Sequence, residues 1–325
     1  MRIRCFAVFA LVCLFFPLAG TTAHASTATP SAAGGQLLAM QWDGRIHVSN
    51  PDGSDDRLLT PDWAGGDQYQ PDWSPDSTQI AFSADADDGT RDIWLADVSS
   101  GVTTIAFDCA APCVWADDPA FSPDGGSLAF ERTLPNANGL SDSQLVILDL
   151  ATGADTLAWA VTHPEETIYV PRWSPDGTHI VLELDRFVDG SIDATEITGS
   201  AIVVIDLASK VATPLTEMTA YATNPDWSPN GDLIVFAQSG TNGADGPYEL
   251  FTIAPDGSDL TTITAFGPDG FQAIQPSFTP DGARIIFVKD EMWSNPVVAT
   301  IALESGATVE TAAPPVSGTH PRLSR

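Results

Sequence analysis

Apolar and polar residues alternate along most of this chain in short runs, each bounded by Pro, Asp, Ser or Gly. Asp92-Ile93-Trp94-Leu95-Ala96-Asp97, Gln144-Leu145-Val146-Ile147-Leu148-Asp149, Ala201-Ile202-Val203-Val204-Ile205-Asp206 and Glu249-Leu250-Phe251-Thr252-Ile253 are typical. Runs this short, rich in β-branched and aromatic residues and closed by turn formers, predict β-strands. An amphipathic helix would repeat its apolar positions every three or four residues over a longer window. No such segment of useful length occurs beyond residue 25.

One heptapeptide sets the spacing of these runs. Pro71-Asp72-Trp73-Ser74-Pro75-Asp76-Ser77 returns as Pro119-Ala120-Phe121-Ser122-Pro123-Asp124-Gly125 and Pro171-Arg172-Trp173-Ser174-Pro175-Asp176-Gly177. It returns again as Pro225-Asp226-Trp227-Ser228-Pro229-Asn230-Gly231 and Pro276-Ser277-Phe278-Thr279-Pro280-Asp281-Gly282. The first prolines stand 48 to 54 residues apart, a period that suits four short strands of a propeller blade. The first Pro is suited to opening a strand, because it brings no N–H to the ladder. The aromatic two positions on is a wedge for packing between sheets. Ser-Pro-Asp-Gly is a tight turn, with Pro presetting φ, Asp capping locally and Gly taking the positive φ. Eleven positions after each first Pro stands an apolar residue, Phe82, Phe130, Leu182, Phe236 or Phe287, so the first hairpin keeps a constant length.

The two ends of the chain complete the pattern. Pro321-Arg322-Leu323-Ser324-Arg325 is the start of a sixth copy. Gly34-Gly35-Gln36-Leu37-Leu38-Ala39-Met40 continues it without a gap, aligning Leu38-Ala39-Met40 with Ile80-Ala81-Phe82. Arg45–Ser49 and Asp56–Thr60 then supply the third and fourth strands. The expected fold is all-β: a six-bladed β-propeller of four-stranded antiparallel blades over residues 34–325, closed by pairing the C-terminal strand with the N-terminal blade. Such closure removes open sheet edges.

The P-x-[WF]-S-P-[DN]-G repeat resembles the TolB-type propeller repeat, which also occurs in propellers of prolyl oligopeptidase and tricorn-protease relatives. The resemblance covers Gly34 to Arg325. TolB-type proteins place an α/β domain before the propeller and the oligopeptidases add a hydrolase domain. Here only the Ser/Thr/Ala/Pro-rich stretch 26–33, expected to be a disordered linker, precedes the repeats. The resemblance therefore implies the fold without carrying over an activity.

The first 25 residues read as a secretory signal peptide. Arg2 and Arg4 form the positive n-region, Cys5 to Leu18 the apolar core, and Ala23-His24-Ala25 the cleavage signal. No Cys follows Leu18-Ala19-Gly20, so a lipobox is lacking, and a secreted or periplasmic protein is expected. Asp and Glu number 43 against 13 Lys and Arg, a formal net charge of −30, and the lysines are Lys210 and Lys289 alone. Such a surface repels nucleic acid and anionic lipid, which bind chiefly through Lys and Arg. No nucleic-acid partner and no membrane insertion are expected. Outside the cytoplasm, Cys109 and Cys113 predict a disulfide pinning a loop, since two thiolates with no nearby His make a poor metal site.

The segments joining second to third strands vary in length, at 42–44, 84–91, 132–143, 184–200, 238–248 and 289–296, whereas the other turns are uniformly tight. In repeat proteins, insertions gather on one face, which is often the binding face. Residues flanking each first Pro should crowd the mouth of an axial channel: Gln70, Asp118, Asn224, Gln275 and His320 before it, Asp72, Arg172, Asp226 and Arg322 after it. This ring suits a small polar ligand or a peptide end. Its plainer role is to tie adjacent blades together.

Enzyme signatures are sparse. There is no G-x-S-x-G elbow, no H-E-x-x-H and no glycine-rich phosphate loop. Asp85-Ala86-Asp87-Asp88-Gly89 resembles the start of a calcium loop without its downstream Glu, and turn chemistry accounts for it. No catalytic residue, metal site or cofactor is expected, calcium being the one ion these residues suggest. The reading is an exported, monomeric binding module that docks a protein or peptide through its loop-rich face. The alternative, implied by lyases among TolB-like propellers that hold a metal on the axis, is a carbohydrate-active lyase or hydrolase. It would use Asp or Glu with His320 and Arg172 or Arg322.

Overall fold

A computed structural model describes residues 35–135, 141–188, 196–239, 243–291, 296–304, 306, 308–310 and 319–325. The signal peptide read at 1–25 and the linker read at 26–33 lie outside the described residues. Among those described, the helical segments are three-residue turns at Met218–Ala220, Gly243–Asp245 and Gly267–Asp269, and strands make up the rest of the regular structure.

The strands pair as antiparallel meanders in chain order. Three sheets have four strands each, starting at Glu166–Trp173, Ala222–Trp227 and Gln272–Phe278. In a fourth sheet, the C-terminal strand Thr319–Leu323 pairs with Leu38–Trp42, which continues to Arg45–Ser49 and Arg57–Leu58. The fifth sheet has eight strands and contains two more four-stranded units, starting at Gln68–Trp73 and Trp115–Phe121. A single parallel bridge, Arg91 to Trp115, joins those two units. One bridged residue pair is a contact between units rather than a ladder, so the pairings define six four-stranded units. Numbered in chain order, the first unit is the one that Thr319–Leu323 joins.

The repeat accounts for both the turns and the core. Ser74, Ser122, Ser174 and Thr279 donate from Oγ to Asp76, Asp124, Asp176 and Asp281 at 2.6–2.7 Å, and Ser228 to Asn230 at 2.8 Å. The same five acceptors take the backbone N–H two residues on. The turn closes with a positive φ at Gly125, Gly177, Gly231 and Gly282, and at Ser77, where the glycine is missing.

Phe82, Phe130, Leu182, Phe236 and Phe287 have no exposed surface. They belong to clusters that lie between units rather than within them: Phe82 packs with Ile46 and Val48 of the first unit, Phe130 with Ile93 of the second. Leu182, Phe236 and Phe287 likewise meet Leu145, Ile202 and Leu250 of the preceding unit. Leu38 and Met40 of the first unit meet Ile286 and Val298 of the sixth. Full burial of such a side chain contributes about 1.5–3 kcal/mol, so the stabilisation lies in the seams. The wedge aromatics also bond across seams: Trp73 Nε1 donates to Arg322 O at 3.1 Å and Trp173 Nε1 to Ala120 O at 3.2 Å.

The first proline does not open its strand as expected. The strands begin two to five residues earlier, and the proline sits at a break in register between first and second strands. A residue without an N–H fits there because the interrupted ladder asks for no donor.

Candidate functional site

The six first strands touch in succession: 68–73 with 115–121, 115–121 with 166–173, 166–173 with 222–227, 222–227 with 272–278, 272–278 with 319–323, and 319–323 with 68–73. The residue before each first proline is left-handed in every copy, with φ of 49° at Gln70, 56° at Asp118, 49° at Val170, 52° at Asn224, 54° at Gln275 and 53° at His320. Proline disfavours helical backbone in the residue before it, and Val tolerates positive φ poorly, so tertiary contacts must hold these positions.

At three of the six positions those contacts include a hydrogen bond from one unit to the next. Val170 N–H donates to Asp118 Oδ2 at 2.8 Å, Asn224 N–H to Glu183 Oε2 at 2.8 Å, and His320 N–H to Gln275 Oε1 at 2.9 Å. One residue past each proline, Asp72 accepts from Phe121 N–H at 2.8 Å and Asp226 from Phe278 N–H at 2.9 Å. Arg322 donates to Ser277 Oγ at 2.8 Å and pairs with Asp226 at 3.1 Å. Arg172 donates to Pro171 O at 2.7 Å. Gln70, Asp118, Arg172 and Arg322 are buried, while Asp72, Asn224, Asp226, Gln275 and His320 are half-buried. The residues read as rimming a mouth thus stand on the inner strands, largely enclosed and tied across seams.

Burial dominates their electrostatics. It pushes Asp118 up to about 7, with Asp117 adding to the effect against the Val170 hydrogen bond. Arg172 is pushed down to about 10 by burial and then by Arg322. His320 falls to about 3 through burial, then Arg172 and Arg322, and is therefore neutral at ordinary pH. Four buried carboxylates on second strands escaped the sequence reading: Glu131, Glu183, Asp185 and Asp290. Burial raises Glu131 to about 8 against a hydrogen bond from Thr133, and raises Asp185 to about 6. Glu183 is raised by burial and then by Asp185. The available signal was positional. Glu131 and Glu183 directly follow the core residues Phe130 and Leu182, where other copies place Ser83, Ala237 or Val288. Buried polar atoms with no partner among the described residues include Arg172 Nε, Asp118 Oδ1, Asp185 Oδ1 and His320 Nδ1.

Other candidates lie elsewhere. Cys109 and Cys113 are joined by a disulfide and packed against Ile93, Phe121 and Phe130. In the loop read against calcium, Asp88 accepts from both N–H and Oγ of Thr90, and Asp85 is engaged by Tyr69 and Arg91. Among the described residues, no group of three or more His, Cys, Asp or Glu is placed to hold a metal. A cleft of about 400 Å³ lies on the loop-rich face, lined by His163, Glu165, Arg186, Phe187, Val188 and Thr198. A second, of about 570 Å³, lies on the turn face between the fourth and fifth units, with His179, Asp206, Trp227 and Pro255 in its wall.

Four-stranded antiparallel units in sequential contact through their first strands define a repeat protein of the propeller class. The chain belongs to the TolB beta propeller domain family, whose model matches residues 118–312. It is 30% identical over 251 residues to the Tol-Pal system protein TolB of Gluconobacter oxydans, which covers 75% of this chain and 47% of that protein. It is 29% identical over 136 residues to the uncharacterized peptidase YuxL of Bacillus subtilis, 42% of this chain and 19% of that one. The chain thus spans less than half the length of either relative.

Among solved structures, TolB from Acinetobacter baumannii aligns with a TM-score of 0.64 at 17% identity, over 89% of this chain and 66% of that one. An oligogalacturonate lyase in complex with manganese aligns at 0.54 and 17%, over 85% and 71%. At such identities the likeness is one of fold. No helix among the described residues is long and apolar enough to cross a membrane.

Proposed function

We propose that this protein is an exported binding module that docks a protein or peptide through the loop-rich face of a six-bladed propeller. In this reading residues 1–25 direct export to the periplasm or beyond, 26–33 form a linker, and 34–325 form the ring, acting as a monomer. The six units and the pairing of Thr319–Leu323 with Leu38–Trp42 support the ring.

The observation that carries the docking face is the contrast between the two faces. Five first-to-second turns repeat nearly the same hydrogen bonds, so they present similar groups around the ring. The second-to-third connections differ in length and chemistry from unit to unit, as selective recognition requires. That face also carries the cleft beside Arg186 and the exposed Val188. The test is saturable binding of a purified candidate partner from the host envelope to the wild type and to an Arg186→Glu, Val188→Asp variant. Docking is supported by binding that the variant loses while its melting temperature holds. Turnover of polygalacturonate or another acidic polysaccharide, with no partner bound, would replace docking by the lyase alternative.

A further inference from the structure

Arg172 is the anomaly of the inner ring. Its side chain is buried, yet among the described residues no carboxylate lies within ion-pair distance, and its Nε–H has no acceptor. A buried donor without an acceptor is costly; Asp72, Asp226 and Asp118 lie near enough to offset the Arg172 charge, but none of them bonds to it. The nearby acids are committed elsewhere: Asp72 to Phe121 N–H, and Asp226 to Phe278 N–H, Ser277 and Arg322. Asp118 gives one oxygen to Val170 N–H, and burial holds its carboxyl near half-protonation at neutral pH.

His320 adds a second unused donor. Gln275 Oε1 accepts His320 N–H, which fixes the orientation of the Gln275 amide, so its Nε2 is the donor facing His320 Nε2 at 3.2 Å. His320 Nε2 is therefore an acceptor, and the proton of the neutral ring sits on Nδ1. That Nδ1–H is buried and has no acceptor. Arg172 and Arg322 both lie close enough to His320 to suppress its protonation, so the unused donors share one neighbourhood.

We propose that the inner ring binds a carboxylate, seated on the Arg172 and Arg322 guanidiniums with the His320 Nδ1–H as a further donor. This deepens the docking reading and rests on it, by naming the chemical group through which a peptide partner is held. A planar carboxylate matches the guanidinium fork and supplies the acceptors that the unused donors lack, and two N–H···O bonds would fix its orientation. Polar inner-strand neighbours that are only half-buried, Asn224, Asp226 and Gln275, give the group a polar approach.

The experiment titrates 15N-labelled protein with sodium acetate, with acetyl-Gly-Gly and with its C-terminal amide, at matched ionic strength. The readouts are the Arg172 Nε–H and His320 Nδ1–H resonances, with affinity measured by calorimetry. The expected result is a saturable shift of both resonances with a free carboxylate and none with the amide. Arg172→Gln should weaken binding about tenfold or more. Equal response to acetate and acetyl-Gly-Gly identifies a site for free carboxylates, whereas response to acetyl-Gly-Gly alone identifies a peptide end. No shift with any probe, or the same shift with acid and amide, overturns the proposal. The resonance test uses wild-type protein and so stands even where Arg172→Gln fails to fold. A partner bound equally by wild type and Arg172→Gln would overturn the carboxylate site and leave docking intact. Carboxylate binding without any partner would do the reverse.

Discussion

Carboxylates occupy two regions of this molecule in opposite states. In the outer turns, Asp76, Asp176 and Asp281 accept from a Ser or Thr hydroxyl and from a backbone N–H, and those bonds hold them below the usual carboxylate range, Asp176 to about 2. In the interior, on first and second strands, Asp118, Glu131, Glu183 and Asp185 also accept hydrogen bonds, yet burial raises all four. Hydrogen bonds of the same kind therefore do not decide the charge state, and solvent does. The turns repeat because an exposed Asp solves one local problem wherever the chain reverses. The inner acids differ from unit to unit because each must serve the particular seam it faces.

The largest effect expected from breaking this contrast lies at the inner ion pair. Asp226→Ala removes the counter-charge of Arg322 and an acceptor for Phe278 N–H. Loss of one member of an enclosed pair costs about 3–5 kcal/mol, so urea denaturation should show a correspondingly lower midpoint. Asp226→Asn, which keeps an acceptor, should cost less. Equal losses for Ala and Asn would show that shape rather than hydrogen bonding holds this seam.

The pH dependence of stability sharpens the same comparison. Inner carboxyls raised in the fold keep their protons after the unfolded chain has lost them, from about pH 4 up to about 6 for Asp185, 7 for Asp118 and 8 for Glu131. The folded state binds more protons across that window, so stability is full below about pH 4 and falls as pH rises through it. Turn aspartates act in the opposite direction, stabilising above the unfolded value and losing their contribution as pH falls toward about 2. Stability should peak at about pH 4 and decline by several kcal/mol toward pH 8.5. Glu131→Gln should flatten that decline, measured by thermal melts across pH. A decline of unchanged slope would place the titrating groups elsewhere.

A turn aspartate should matter less than an inner one. Asp176→Ala removes acceptors for Ser174 Oγ, which is buried, and for the exposed N–H and Oγ of Thr178. Water replaces most of what is lost, and about 0.5–1 kcal/mol is expected in the same denaturation assay. A cost matching that of Asp226→Ala would mean that the turns, too, are tertiary structure.

How much was legible in the sequence follows the same division. The turns, the core residue eleven positions after each proline and the C-terminal strand beside the N-terminal one could all be read, because each rests on local chemistry repeated in register. The left-handed residue before the proline could not. Its identity runs through Gln, Asp, Val, Asn, Gln and His, and at Val170, Asn224 and His320 its backbone N–H is held by a side chain of the preceding unit. Glu131 and Glu183 were missed for a related reason. Strand alternation sends a polar residue away from the apolar core, but on these second strands that direction is enclosed by protein. Glu183 meets Asn224 of the next unit, and Glu131 meets Thr133 and Ser143 of its own. The residues beside each first proline were named by position, and their enclosure could not be read, since burial belongs to the assembly of units.

The smallest expected effect sits where the repeat is imperfect. Ser77 stands where the other four copies place glycine, and it adopts φ 60°. A residue with a Cβ pays in strain for that backbone, which glycine adopts freely. Ser77 Oγ offsets part of the strain by donating to Arg325 O at 3.0 Å, an exposed contact between the turn and the chain end. Ser77→Gly relieves the strain, loses that bond and frees the unfolded chain, terms of opposite sign and similar size. A net gain of about 0.5 kcal/mol is expected. Thermal melts of Ser77→Gly beside Ser77→Ala, which loses the bond and keeps the strain, separate the two contributions. If Ser77→Gly is the less stable of the pair, the strain assigned to this turn is absent, and if Ser77→Ala matches the wild type, the contact to Arg325 contributes nothing.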